Sequence, residues 1–237
     1  MKMLCFFLIV TLALPSFGMA VQAADGAEPQ ELNLMCVGDS LTFGAATANP
    51  LRESYPAQLK KIEGSLKLKV TNYGCSGVTA SSGTNMPYVG TEQYAKSMRK
   101  APDAVLVMLG TNDGVKWRPE SFERDFAALI AGYQSLDSKP VVFVILPPVR
   151  YDDQAAEQVL REKIRPIERV VAERMGCPVL DACAWTQGQD VLYSDGLHFT
   201  KEGYGMLAAN IYSELELYYN LMQEGETDGE QASACCH

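Results

Sequence analysis

The chain has 237 residues, 47% of them apolar and 21% charged, with a formal net charge of −9. That length and composition suit one globular domain of about 200 residues with a sizeable buried core. The acidic balance, with no run of basic residues, argues against a nucleic-acid partner or an anionic membrane surface.

In chain order, the first segment reads as a targeting signal. "MKMLCFFLIVTLALPSFGMAVQAADG" has a lysine, an apolar stretch and then small residues around Val21-Gln22-Ala23, which fit the small-x-small cleavage rule. Residues 1–23 are therefore expected to be a signal peptide, leaving an exported protein, periplasmic or secreted, with no stable membrane insertion. The apolar run from Leu4 to Phe17 contains Pro15 and is short for a bilayer span of about 20 residues. A retained anchor is the alternative.

Strands and helices then take turns. "LNLMCVG" (32–38) is a short apolar run ending at glycine. "YPAQLKKIEG" (55–64) predicts a helix with Pro56 in its first turn, closed by Gly64. "LKLKVTNYG" (66–74) alternates as a half-buried strand does. A loop rich in Gly, Ser and Thr leads to a weak helix near 91–100. "DAVLVMLG" (103–110) is a buried strand, and 119–136 is a helix. "PVVFVIL" (140–146) is another continuous apolar run. The next helix, 154–175, should be disturbed at Pro166. "PVLDA" is a fifth strand, and 200–222 is a helix with Thr200 as N-cap. The polar residues 222–237 are expected to be a disordered tail, leaving a domain of 30–221.

This β-α-β-α order with apolar strands predicts an α/β fold, a parallel sheet with helices on both faces. Six cysteines follow the cleavage site. Cys177 and Cys183 bracket a strand whose six extended steps span about 20 Å, beyond the ~7 Å reach of a disulfide. No C-x-x-C or His cluster supports a structural metal site.

In parallel α/β sheets the site lies beyond the carboxyl ends of the strands. There the sequence places "GDSLTFG" after strand one, "NYGCSGVT" after strand two and "GTNDG" after strand three. "PPVRYD" follows strand four, and "SDGLH" precedes the last helix. Each segment alone has a plainer explanation: a tight turn, a glycine bend, an Asn or Asp capping a loop. Together they supply roles. Ser40 is a nucleophile candidate that needs a base. His198 is the one internal histidine, and Asp195 could fix its tautomer and stabilise the imidazolium. The backbone N–H groups of Ser40 and Gly77 and the Asn112 amide could receive an oxyanion.

These four segments, "GDSLTFG", "NYGCSG", "GTND" and "DGLH", resemble in order the signature blocks of the GDSL or SGNH hydrolase family, over roughly residues 33–220. The resemblance implies a three-layer α/β/α sandwich with a five-stranded parallel, flavodoxin-like sheet. It also implies Ser-His-Asp ester hydrolysis without metal or organic cofactor. Ser40 corresponds to the nucleophile, Gly77 and Asn112 to oxyanion donors, and Asp195 and His198 to the rest of the triad. Gly77 is preferred to Gly74 because the family's N-x-x-x-S-G pattern places the donor last. Asp39 and Asp113 look supportive. Rival motifs are weak: G-x-S-x-G is absent, and Ser97 with Lys100 forms an S-x-x-K inside a predicted helix.

The substrate is less legible. Trp117, Arg150 and Tyr151, with Tyr88, sit after the strands and could meet sugar rings or a carboxylate. The general pattern resembles small exported bacterial esterases that remove acetyl groups from carbohydrates, sialate O-acetylesterase-like members included. A small-molecule or glycan ester is the expected partner. A lysophospholipase or acyl-thioesterase is the alternative within the same chemistry, and a non-catalytic flavodoxin-like binding protein the alternative outside it.

Overall fold

The computed structural model describes residues 29–234, with side chains described to residue 223. The predicted signal peptide lies outside the described residues. Among those residues no helix is long and apolar enough to cross a membrane.

Five strands form one parallel sheet: β1 Gln30–Gly38, β2 Leu66–Gly74, β3 Ala104–Met108, β4 Val141–Leu146 and β5 Val179–Asp181. Their order is β2-β1-β3-β4-β5, the flavodoxin-like arrangement. Nine α-helices among the described residues join or follow them: α1 Ser40–Phe43, α2 Pro50–Glu53, α3 Tyr55–Leu59, α4 Glu92–Ser97, α5 Phe122–Gln134, α6 Gln154–Val159, α7 Arg165–Arg174, α8 Ala182–Thr186 and α9 Lys201–Ala234.

Successive side chains of a strand point to opposite faces, so these apolar strands need a cover on each side. Leu34, Cys36, Leu106 and Phe143 pack with Tyr55 and Leu59 of α3 and with Leu207, Ile211 and Leu215 of α9. Met35, Val37, Val105, Val107 and Val144 pack with Phe126, Leu129 and Ile130 of α5 and Val171 of α7. The result is a three-layer α/β/α sandwich. Burying each large apolar side chain contributes about 1.5–3 kcal/mol. A five-residue helix such as α3 is far too short to persist without that packing.

Four differences from the sequence pattern have physical causes. The helix predicted over 55–64 ends at Leu59, because the chain must drop into β2 against α9. There the Tyr212 hydroxyl bonds both backbone groups of Leu66, and a Cβ at Gly64 would lie 2.1 Å from it. The helix over 154–175 is interrupted by a π-turn at Leu160–Ile164, one turn before Pro166, which has no N–H to offer the carbonyl four residues back. The short helices α1, α2 and α8 carry too few residues to show a period. Finally, α9 runs to Ala234 rather than ending near 222. The Glu, Gln and Ala of that stretch favour helix without any apolar stripe to announce it.

The described cysteines Cys36, Cys75, Cys177 and Cys183 are free. The rival nucleophile Ser97 is buried, its hydroxyl held by the Tyr94 carbonyl and the Tyr133 hydroxyl at 2.8 Å each.

Candidate active site

The site forms where β1 and β3 part, at the switch point of the sheet. Gly38 ends β1 in a place with no room for a side chain: a Cβ would sit 2.1 Å from Thr42 Oγ1 and 2.5 Å from the Met108 carbonyl oxygen. The chain turns at once, and Asp39 caps α1 by accepting the Leu41 N–H at 2.9 Å. Ser40 is thereby the first residue of α1 and only 7% exposed.

Ser40 Oγ lies 2.9 Å from His198 Nε2, and His198 Nδ1 lies 2.8 Å from Asp195 Oδ2. The other Asp195 oxygen accepts the backbone N–H groups of Leu197 and His198 at 2.9 and 2.7 Å. Partial burial pushes the Asp195 carboxyl up, but the His198 ring and these two N–H groups outweigh it and hold it below its usual value. An ionised Asp195 can only accept, which directs the imidazole proton to Nδ1 and leaves Nε2 free to take one from Ser40.

The loop carrying both residues is gripped from β4's side. Gly196 has φ +81°, and its carbonyl accepts from the Tyr151 and Asp152 N–H groups at 2.7 and 3.2 Å. A Cβ there would lie 2.9 Å from the Asp152 nitrogen. Gly196→Ala is therefore expected to cost about 1–2 kcal/mol through its positive φ and to lower kcat about tenfold by shifting His198. Chemical denaturation and steady-state kinetics check this, and unchanged values for both would remove the loop from the positioning machinery.

The second and third segments meet the first. Asn72 donates to the Thr42 carbonyl and accepts the Gly74 N–H, each at 2.8 Å. The Gly74 N–H is thus committed, and its Cα is closed off by Phe43, whose nitrogen would lie 2.2 Å from a Cβ. Gly77, at φ +79°, instead presents an N–H with no acceptor among the described residues, and a Cβ there would meet only Met86 at 3.6 Å. Asn112 Nδ2 donates to the Val78 carbonyl at 2.8 Å and lies 3.5 Å from Asp39 Oδ2. Asp113 is fully buried and accepts the N–H groups of Ala80 and Ser81 at 2.8 and 3.0 Å, tying the second loop to the third.

Buried carboxyls underlie this edge. Burial pushes Asp39 up to about 7 and Asp113 adds to it, against the lowering by the Leu41 N–H and His198. Asp113 is raised by burial too. Glu168 is raised well above its ordinary value by burial, with Asp113 adding, and neither of its oxygens finds a partner. For Asp39 the sign follows: between its ordinary 3.8 and the folded 7 the native state binds more protons, so stability falls as pH rises. The stability of Asp39→Asn relative to wild type should grow by about 2–4 kcal/mol from pH 4 to 7 and then level off. Urea denaturation at successive pH values reads it, and a constant difference would contradict the raised Asp39.

The expected substrate contacts are otherwise engaged. Trp117 packs on Phe122, ring centres 5.5 Å apart. Arg150 pairs bidentately with Asp152 at 2.7 and 2.9 Å. The Tyr151 hydroxyl donates to the Thr186 carbonyl and accepts the Gln189 N–H. Tyr88 is buried with its hydroxyl on the Tyr73 carbonyl. Arg150 and Tyr151 belong to the segment that grips Gly196. The residue that sequence reasoning missed is Asn72. Its signal was the first position of the N-x-x-x-S-G pattern, an asparagine inside a strand, where that residue is disfavoured. Among the described residues, no group of three or more His, Cys, Asp or Glu side chains could hold a metal ion.

Residues 36–206 match the family model of the GDSL-like Lipase/Acylhydrolase family. The chain is 24% identical over 226 residues to an acetylxylan esterase of Xylanibacter ruminicola, an alignment covering 86% of this chain and 47% of that protein. It thus spans about half the length of that curated relative. Among solved structures, the aryl esterase of M. smegmatis superposes with a TM-score of 0.61 at 21% identity, over 78% of this chain and 98% of the other. A two-domain esterase active on acetylated mannans gives 0.59 at 19% identity, over 80% of this chain and 50% of the other.

Proposed function

Since the chain belongs to the GDSL-like lipase/acylhydrolase family, we propose that it is a serine esterase that removes acetyl groups from carbohydrate. The observation that carries this reading is the hydrogen-bonded line Ser40 Oγ, His198 Nε2, His198 Nδ1, Asp195 Oδ2. Ser40 attacks the ester carbonyl while His198 takes its proton, and Asp195 steadies the imidazolium. The Ser40 and Gly77 N–H groups and the second Asn112 amide hydrogen receive the oxyanion. His198 then returns the proton to the leaving sugar hydroxyl, and water repeats the sequence on the acyl-enzyme. Trp117, Arg150 and Tyr151 stay outside this scheme.

The acceptor we favour is an acetylated polysaccharide, ahead of O-acetylated sialic acid. The relatives are described as acting on acetylated xylan and mannan. Residues 1–23 serve as the export signal of a catalytic domain spanning 30–221, which brings the enzyme to polymers outside the cell. The test is hydrolysis of p-nitrophenyl esters from acetate to laurate, with Ser40→Ala protein as the blank. A sharp preference for acetate is expected. Activity rising toward eight or more carbons would instead make it a lysophospholipase or acyl-thioesterase. No Ser40-dependent turnover at any length would leave a non-catalytic binding protein.

A further inference from the structure

The outer edge of β2 pairs with no other strand, since β1 is its sole neighbour in the sheet. Two depressions, of about 610 and 680 Å³, run along that edge and share Lys60 with Val70, Thr71 and Tyr73 of β2. Both volumes fall in the range of ligand-binding clefts. One reaches Lys69 and Lys100, and the other Lys96 and, at its far end, Gly74 and Phe43. Phe43 lies on α1 three residues after Ser40, and its ring is 44% exposed. Neither depression includes Ser40 or His198, and the second reaches Phe43, on the same short helix as Ser40.

Their charge is the informative feature. Four lysines and no carboxylate line them, on a chain whose net charge is −9. Lys69 is paired with Glu31, and Lys96 with Glu92 at 2.9 Å. Lys60 and Lys100 are exposed and have no carboxylate partner among the described residues. A local excess of cations on an acidic surface attracts anions and offers a neutral sugar no such attraction. A second copy of this chain would place lysines against lysines across the shared edge, which opposes pairing. A fatty acyl chain would gain nothing from the lysines.

We propose that the β2 edge is the substrate groove of this enzyme, and that it takes a glycan carrying uronic-acid carboxylates, laid from Lys100 and Lys60 toward Phe43 and Ser40. The inference rests on the carbohydrate-esterase reading above and names its substrate class: acetylated polysaccharides with acidic sugars. Lys60 and Lys100 hold carboxylates, unpaired backbone groups of β2 meet sugar hydroxyls, and the Phe43 ring offers an apolar face to the sugar presented at Ser40.

Calorimetry on the full-length Ser40→Ala protein tests the groove apart from turnover. The probes are a hexasaccharide of galacturonic acid and its carboxyl-reduced counterpart. The acidic form should bind about tenfold tighter at low salt, as two to four exposed charge pairs allow. The preference should vanish at about 0.5 M salt and in the Lys60→Glu/Lys100→Glu variant. That variant should keep wild-type kcat/KM on p-nitrophenyl acetate when made with Ser40 intact, because neither lysine belongs to the catalytic group. Equal binding of the two probes, or a preference undiminished by the double substitution, would overturn the groove. A hexaglutamate peptide that competes as tightly as the uronate would replace the glycan with a peptide strand added to β2. Loss of p-nitrophenyl acetate turnover in the wild type would reject the esterase reading, while the binding comparison still decides the groove.

Discussion

Ser40→Ala should lower kcat on p-nitrophenyl acetate by about four to six orders of magnitude and leave the fold intact. The loss should be large because the proposed acyl-enzyme forms on this hydroxyl, whose Oγ lies 2.9 Å from His198 Nε2. The fold should survive because the turn is held by other atoms: Asp39 caps α1, and the backbone carbonyl of residue 40 accepts the Gly44 and Ala45 N–H groups. His198→Ala should cost as much. The loop around it would stay in place, because Asp195 holds backbone N–H groups there, including that of residue 198 itself. Groups that act as a unit are not additive, so the double variant should be no slower than either single one. Native circular dichroism with more than about a tenth of wild-type activity in Ser40→Ala would remove the serine from the role of nucleophile.

Much of the architecture was legible because buried parallel strands must be apolar throughout. β2 was read at its observed bounds, and β4 to within a residue. Helix ends were read less well, because tertiary contacts rather than local preference set them. α3 stops early against Tyr212, and the π-turn precedes Pro166 rather than coinciding with it.

The site was legible for a different reason. A five-stranded parallel sheet gathers the residues after its strands, so Ser40, Gly77, Asn112, Asp195 and His198 could be grouped without any knowledge of distances. What the pattern could not supply was occupancy. Arg150 and Tyr151 sit in the right segment, yet Asp152 holds Nε and Nη2 of Arg150, whose Nη1 is buried without a partner, and Thr186 and Gln189 hold the Tyr151 hydroxyl. Whether Gly74 or Gly77 offers a free N–H likewise depends on Asn72, which opens the N-x-x-x-S-G pattern but whose hold on the Gly74 N–H the pattern does not show. The groove along β2 was illegible for the same reason: Lys60, Lys69, Lys96 and Lys100 are scattered over 41 positions and meet only through the sheet edge.

Asn112→Ala is expected to lower kcat by about two to three orders of magnitude with little change in KM, as the loss of an oxyanion donor does. The geometry explains both the size and the kinetic form. One amide hydrogen is held by the Val78 carbonyl at 2.8 Å, which aims the side chain; the other points loosely toward Asp39 at 3.5 Å. A contact that long is weak, so the second hydrogen can turn to an oxyanion at little cost. Its gain appears only as negative charge develops, which is why kcat should carry the loss. The substitution also removes the Val78 contact, worth about 1 kcal/mol, so thermal unfolding must be measured beside the kinetics. Asn112→Asp separates the two effects. It keeps the shape but places a carboxylate beside the buried Asp39 and the oxyanion, so it should be slower than Asn112→Ala. Equal rates for the two variants would mean that the charge at this position never meets the reacting oxygen. A change confined to KM would make Asn112 a substrate contact instead.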